Sequence, residues 1–240
     1  MPTAVTFRLI GAMAALLATS GCARTFAPEA FRRGMTLAIV TVSSSPQILY
    51  TETHVVVTGT GAADTRGSGF KAGDAKVVFP ATKAAVLRAL SHSRQFQITP
   101  EEAVLSSAAY ASTPVQVNEW TKGMVAARGY KLMFDKAHGG RIARAVGASG
   151  ALLVSLEHNY TTQGAPGGRI AADVNVMLTA VDRSGQLIWV DYTHVLSERT
   201  LDSSSLRVPA SALEPLLAES AERGTRTLLA RLDEQLRATR

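Results

Sequence analysis

The stretch that decides the fold is IAADVNVMLTAVDRSGQLIWVDYTHVL, residues 170–196. Ile170, Ala172, Val174, Val176, Leu178 and Ala180 recur at every second position, with Asp173, Asn175 and Thr179 between them. Successive side chains of a strand point to opposite faces, so this period describes a strand with one face on a core. Asp182-Arg183-Ser184-Gly185 then supplies turn chemistry. The return strand, residues 187–196, is expected to carry Ile188, Val190, Tyr192 and Leu196 on its core face. His194 falls in the same row and reads as a satisfied core histidine.

Outward from this hairpin, residues 151–156 (ALLVSL) and 35–42 (MTLAIVTV) are continuous apolar runs, the pattern of strands covered on both faces. Residues 211–237 form a long amphipathic helix with Leu213, Leu217, Leu228, Leu229, Leu232 and Leu236 on its apolar side. Glu219–Arg223 and Glu222–Arg226 have i,i+4 spacing on its wet side, each pair contributing about 0.2–0.5 kcal/mol. Gly224 marks a close approach to the sheet. Earlier, Pro80 opens a helix whose apolar side is Ala84, Val86, Leu87 and Leu90, and Phe96-Gln97-Ile98 alternates as a short strand. Thr99, Pro100 and Glu102 have the spacing of a capping box, which predicts a helix to about Tyr110. Gly139-Gly140 precedes a helix over 141–146 that Gly147 ends. This order predicts the α/β class, as an α+β sandwich: a mixed β-sheet with a long antiparallel hairpin, packed by amphipathic helices. Residues 35–240 read as a single domain with two irregular parts. One follows Ser43-Ser44-Ser45-Pro46, with a short strand near 54–58 and a Gly-rich loop near 59–75. The other is an insertion near 112–138, where Trp120, Tyr130 and Phe134 indicate packed structure.

The amino terminus has a different character. Arg8 is its one charge before Cys22, and residues 9–18 are a weakly apolar run. That run is too short for a permanent bilayer span, which needs about 20 residues. It has the length of a signal-peptide core, so residues 1–21 read as a signal peptide. Ala18-Thr19-Ser20-Gly21-Cys22 resembles the bacterial lipobox, with Thr19 where Leu is usual, and Cys22 becomes the lipidation site. That resemblance implies a diacylglyceryl thioether, an amide-linked palmitate-type chain and, with Ala23 rather than Asp after the cysteine, an outer-membrane, lipid-anchored address on the periplasmic face. Residues 22–34 read as the lipid-anchored tether. Cys22 is the chain's single cysteine, so acylation leaves no thiol for a disulfide, a thiolate metal site or a nucleophile. Without Arg8, 24 basic residues face 19 acidic ones, a net +5, and no basic block suggests nucleic acid.

Two motifs carry a wider resemblance. Residues 141–154, RIARAVGASGALLV, resemble the helix, Gly-Ala, apolar-strand unit of periplasmic proteins related to the TolB amino-terminal domain and the curli-secretion lipoprotein CsgG. Residues 181–189, VDRSGQLIW, resemble the same group's hairpin, and a final amphipathic helix follows in that group too. The resemblance covers roughly residues 35–42 and 80–236. It implies a non-enzymatic envelope role: secretion-pore subunits, synthase activators, polysaccharide-export accessories or other assembly factors, several of which form rings. Its motifs are structural, with Gly185 serving the turn and Trp189 packing.

No catalytic constellation stands out. His54, His92, His138, His158 and His194 lack metal-ligand spacing, so neither metal nor cofactor is expected. Gly147-Ala148-Ser149-Gly150 falls one residue short of a nucleophile elbow and sits in a helix-to-strand turn, the reverse of what that motif needs. Gly59-Thr60-Gly61 lacks a phosphate loop's Lys-Ser/Thr ending. His138-Gly139-Gly140 has no Ser and Asp partner, and Glu157, His158 and Tyr160 read as solvated strand-end residues. The expectation is an accessory or assembly lipoprotein that binds envelope proteins or polymers, with homo-oligomers a further expectation. A CsgG-like secretion-channel subunit is the alternative, for which residues 51–58 read as too short and irregular. A periplasmic hydrolase is the further alternative, and it needs a converging polar cluster.

Overall fold

The computed structural model describes residues 24–58, 61–116, 123–163, 168–202, 205 and 207–239. In chain order they form β1 (Thr25–Phe26), β2 (Met35–Thr58), β3 (Gly61–Asp74), a 3-10 turn (Ala75–Val77) and α1 (Phe79–Ser91). Then follow β4 (Phe96–Ile98), α2 (Glu101–Leu105), α3 (Ala108–Ala111), β5 (Val125–Ala126) and α4 (Lys136–Ala145). The last elements are β6 (Gly150–Gln163), β7 (Arg169–Asp182), β8 (Leu187–Leu196), β9 (Leu201–Asp202) and α5 (Ala210–Ala238). One mixed sheet runs β1-β8-β7-β6-β2-β3, with β4 and β5 on the outer edge of β2 and β9 beside β7. β6 and β7 pair without a slip from Gly150↔Asp182 to Gln163↔Arg169, and β2 lies parallel to β6. The α/β class read from the sequence is the observed one.

α1 and α5 cover one face of the sheet. The whole even-numbered row of β7, Ile170 to Ala180, is buried there with the predicted leucines of α5. Gly224 makes the expected close approach, since a Cβ on it would lie 3.2 Å from a Val176 methyl. The opposite face is covered by α4, α2 and α3 over a smaller core of Ala38, Val40, Ile142, Ala143, Ala151, Leu153 and Val181.

The two motifs of the resemblance meet. Asp182 Oδ1 accepts from Ser184 N at 2.8 Å, Ser184 Oγ at 2.6 Å and Gln186 N at 2.9 Å, which closes the turn. Burial works against the ionised Asp182, yet these bonds together hold its carboxyl below the usual range. Gly185 adopts φ +88°. Arg183 Nε donates to Ala148 O at 2.6 Å and Nη2 to Gly147 O at 3.1 Å, tying the turn to the end of α4.

Several expectations are corrected. β7 and β8 slip by one residue between Ala180↔Trp189 and Val181↔Leu187. A bulge of one residue moves every later side chain to the other face. Trp189, Asp191 and Thr193 therefore take the core face, and His194 is exposed rather than a core histidine. Of the Gly-rich segment read as a loop, residues 61–74 are strand β3, paired with β2 from Gln47↔Asp74 to Thr58↔Gly61, and 59–60 lie outside the described residues. The helix expected to reach Tyr110 is two short helices, because Ser107 takes the N-cap role and accepts from Tyr110 N; Thr99 caps nothing and Pro100 stands at the N-cap. Gly139 and Gly140 lie inside α4, which starts from an Asp135 cap. Glu219 pairs with Arg199 at 2.6 Å and Arg223 with Glu198 at 3.0 Å, not with each other, while Glu222–Arg226 forms as expected. In the insertion, Tyr130 is buried, Phe134 is half-buried, and Trp120 lies outside the described residues.

Candidate functional site

Cys22 and the signal segment lie outside the described residues. Within the segment read as a lipid-anchored tether, residues 24–34 are packed on the fold. Thr25 and Phe26 pair with Val190 and Trp189 of β8, and Ala27 N donates to Ile188 O at 2.8 Å. Phe31 is buried, its ring 6.2 Å from those of Phe26, Phe96 and Trp189. Arg24 Nε lies 2.9 Å from Oδ1 of the buried Asp191, and its guanidinium stands 5.4 Å from the Tyr192 ring centre. Arg231 reaches the same carboxylate at 3.4 Å.

His158 is not a solvated strand-end residue. It is 1% exposed, and Tyr160 is equally enclosed. Its Nδ1 is 3.0 Å from Ser44 Oγ and its Nε2 is 2.9 Å from Thr82 Oγ1, with the Phe79 ring at 6.2 Å. Ser44 comes within reach because β2 slips against β6 between Ser44 and Ile48. Burial lowers the imidazole pKa from 6.5 to about 4, so the ring is neutral near pH 7. A Ser–His contact has the elements of an activated nucleophile, but this one is sealed from any substrate. Its chemistry is internal: the ring satisfies two hydroxyls where the sheet changes register. The alternation of 152, 154, 156, 158 and 160 in β6 is the signal that places His158 and Tyr160 on the buried face. Three other histidines lie elsewhere, and the side chain of His54 lies outside the described residues. His138 sits beside Gln116 and Asp135, His194 is 3.9 Å from Asp173, and His92 bonds Arg88 O of its own helix.

The feature with the shape of a binding site is a groove of about 650 Å³ between α1 and residues 125–128. Its floor is Phe79, Pro80, Ala84 and Leu87 from α1 and Val125–Ala127 from the facing segment. Lys76, Lys83 and Arg128 supply its charge, and no carboxylate lines it among the described residues. Lys83 is fixed, 2.9 Å from Glu101 and 4.8 Å from the centre of the Tyr130 ring. Tyr130 is itself held protonated, its pKa raised by burial and then by Glu101. Lys76 and Arg128 are exposed and make no ion pair among the described residues. Val77, at 50% exposure, extends the apolar surface beyond the rim. An apolar floor with two exposed cations at its rim suits an anionic amphipathic segment: the floor takes apolar side chains and the rim takes carboxylates. Sequence reading missed this site because its walls come from residues 76–87 and 125–128, and the second wall lay in the segment read only as an insertion.

No family model matches the chain, and no curated protein matches it. Solved structures with partial likeness include the C-terminal domain of LpoB from Salmonella enterica, at 14% identity and TM-score 0.33 over 68% of this chain and 84% of that one. A hypothetical protein of Chlamydia trachomatis aligns at 12% identity and TM-score 0.38 over 85% of this chain and 99% of that one. A DUF330 protein of Xanthomonas campestris aligns at 15% identity and TM-score 0.36 over 88% and 94%. None of the three is a TolB amino-terminal domain or CsgG, and likenesses this distant carry no functional inference.

Proposed function

We propose that this chain is an outer-membrane-anchored periplasmic lipoprotein that acts without catalysis, as an accessory or assembly factor. It binds an envelope partner through the groove beside α1. The anchor reading rests on Ala18–Cys22 in the sequence. The observation that carries the binding reading is the groove itself, about 650 Å³ over an apolar floor, bordered among the described residues by cations and no carboxylate. A photo-crosslinking residue at Ala84 or Leu87 in growing cells tests it. The expected adduct is an envelope protein joined through a peptide rich in Asp and Glu, abolished by Arg128→Glu. Adducts indistinguishable from those at exposed Ser184 overturn it. Mass spectrometry of the same protein for acyl chains on Cys22, with Cys22→Ser as the control, tests the anchor.

A secretion-channel subunit is the alternative reading. Beyond the pairing of β2 with β6, which ends at Tyr50, the β2–β3 hairpin continues for eight residues a strand, 51–58 against 61–68, short of the ~9–11 that a spanning strand needs. Uniform conductance steps from the lipidated protein in planar bilayers support this reading, and their absence at all protein concentrations removes it. A hydrolase finds no comparable support: the Ser44–His158 contact is sealed.

A further inference from the structure

We infer that the partner of the groove beside α1 binds as an extended segment, adding a strand to the free edge of β5 while its apolar residues rest on the floor. The inference rests on the groove being the partner site, and it names the shape of the segment taken there. One wall of the groove is a strand. β5 lies antiparallel to β2, with Val125 opposite Ser44 and Ala126 opposite Ser43. Ala127 N donates to Val42 O at 2.8 Å. Backbone groups alternate in direction along a strand, so the N–H and C=O of Ala126 point away from β2. Among the described residues no further strand pairs with β5, and none bonds these two groups. The gap is bounded on both sides, since β4 ends opposite Leu37 of β2 and β3 begins opposite Gln47.

The other wall has the spacing that a strand can follow. Phe79, Lys83 and Leu87 succeed one another at i,i+4 on α1, and all three line the groove. Such a row rises about 6 Å per step. Alternate side chains of a strand stand about 6.7 Å apart, so an extended segment keeps step with the row across both intervals. A sequence that alternates apolar and acidic residues sets its apolar side chains on this floor. Its carboxylates then meet the exposed Lys76 and Arg128. A one-residue slip would turn the apolar set away from the floor, which fixes the register of the added strand. A bound helix satisfies its own backbone internally and offers nothing to Ala126. That amide, on a half-buried residue, would lose water on binding without gaining a partner. Strand addition supplies the partner, main chain to main chain, while the floor selects the side chains.

The test uses the full-length protein in detergent and a short fluorescein-labelled peptide of alternating Val and Glu, with binding read by anisotropy. Two derivatives carry N-methyl groups on every Val amide or on every Glu amide. The N–H groups of alternate residues face the same edge of a strand, and the floor forbids a one-residue slip. One derivative should therefore bind about tenfold more weakly than the parent, and the other should match it. Amide hydrogen exchange at Ala126 should slow about tenfold when the parent peptide saturates the protein. Equal affinity of the two derivatives overturns the inference. So does tighter binding of a helix-forming isomer of the same composition that leaves Ala126 exchange unchanged, and this result keeps the groove as the partner site. Binding of neither the alternating peptide nor its helical isomer overturns both.

Discussion

His158 lies between the hydroxyls of Ser44 and Thr82, and burial holds its pKa at about 4 against 6.5 in an open chain. Above pH 6.5 the ring is neutral whether the protein is folded or not. Between pH 6.5 and 4 the unfolded chain takes up a proton that the folded ring refuses, so stability falls with pH by up to about 3 kcal/mol. Below pH 4 both states carry the proton and the loss is complete. His158→Leu should flatten this part of the pH profile in urea unfolding, because Ser44 can donate to Ser45 O and Thr82 to Phe79 O without the imidazole. A wild-type slope in the variant rules out His158 as its source. Gly140 gives a second prediction of sign. In a free helix Gly→Ala gains about 1 kcal/mol. Here a Cβ would stand 2.6 Å from Gly185 N and 2.7 Å from Arg183 O, so Gly140→Ala should lower stability by roughly 1–3 kcal/mol through overpacking. A rise in Tm would contradict this packing.

Elements were legible where one physical preference acts alone. The row Ile170–Ala180 and the leucines of α5 follow a single period, and both were found in place. β8 misled because its alternation is unbroken in sequence, while the one-residue slip opposite Ala180–Val181 inverts its faces; a bulge leaves no mark in a period of two. β3 misled for the opposite reason: glycines depress strand propensity, and pairing with β2 overrides that. Ser220 shows how an element is pinned beyond its apolar stripe. Its hydroxyl accepts from Val174 N at 2.7 Å and donates to Val195 O, joining α5 to two strands inside the core. Ser220→Ala leaves a buried backbone N–H without its acceptor and should cost about 1–3 kcal/mol in denaturant unfolding. A change below 0.5 kcal/mol would mean the contact contributes nothing net.

Across the whole molecule, the proposed anchor is a local sequence motif, whereas the groove exists only after α1 and residues 125–128 come together. Its charges predict behaviour that the fold does not share. Lys76→Glu with Arg128→Glu should reduce partner crosslinking from Leu87 by about tenfold, equivalent to ~1.4 kcal/mol, with Tm unchanged because both side chains are exposed. Crosslinking at wild-type yield would remove charge from the recognition. The docking of β1 on β8 bears on how such a partner is met. A domain on a loose leash sweeps a volume of periplasm, and its encounters are counted in three dimensions. One whose strand is stitched into the sheet three residues after a lipidated cysteine, as proposed for Cys22, moves as the lipid moves, by lateral diffusion in a leaflet. Its working radius is the thickness of a single domain, so a partner must already extend to the membrane, and the meeting rate follows surface density rather than concentration in the compartment.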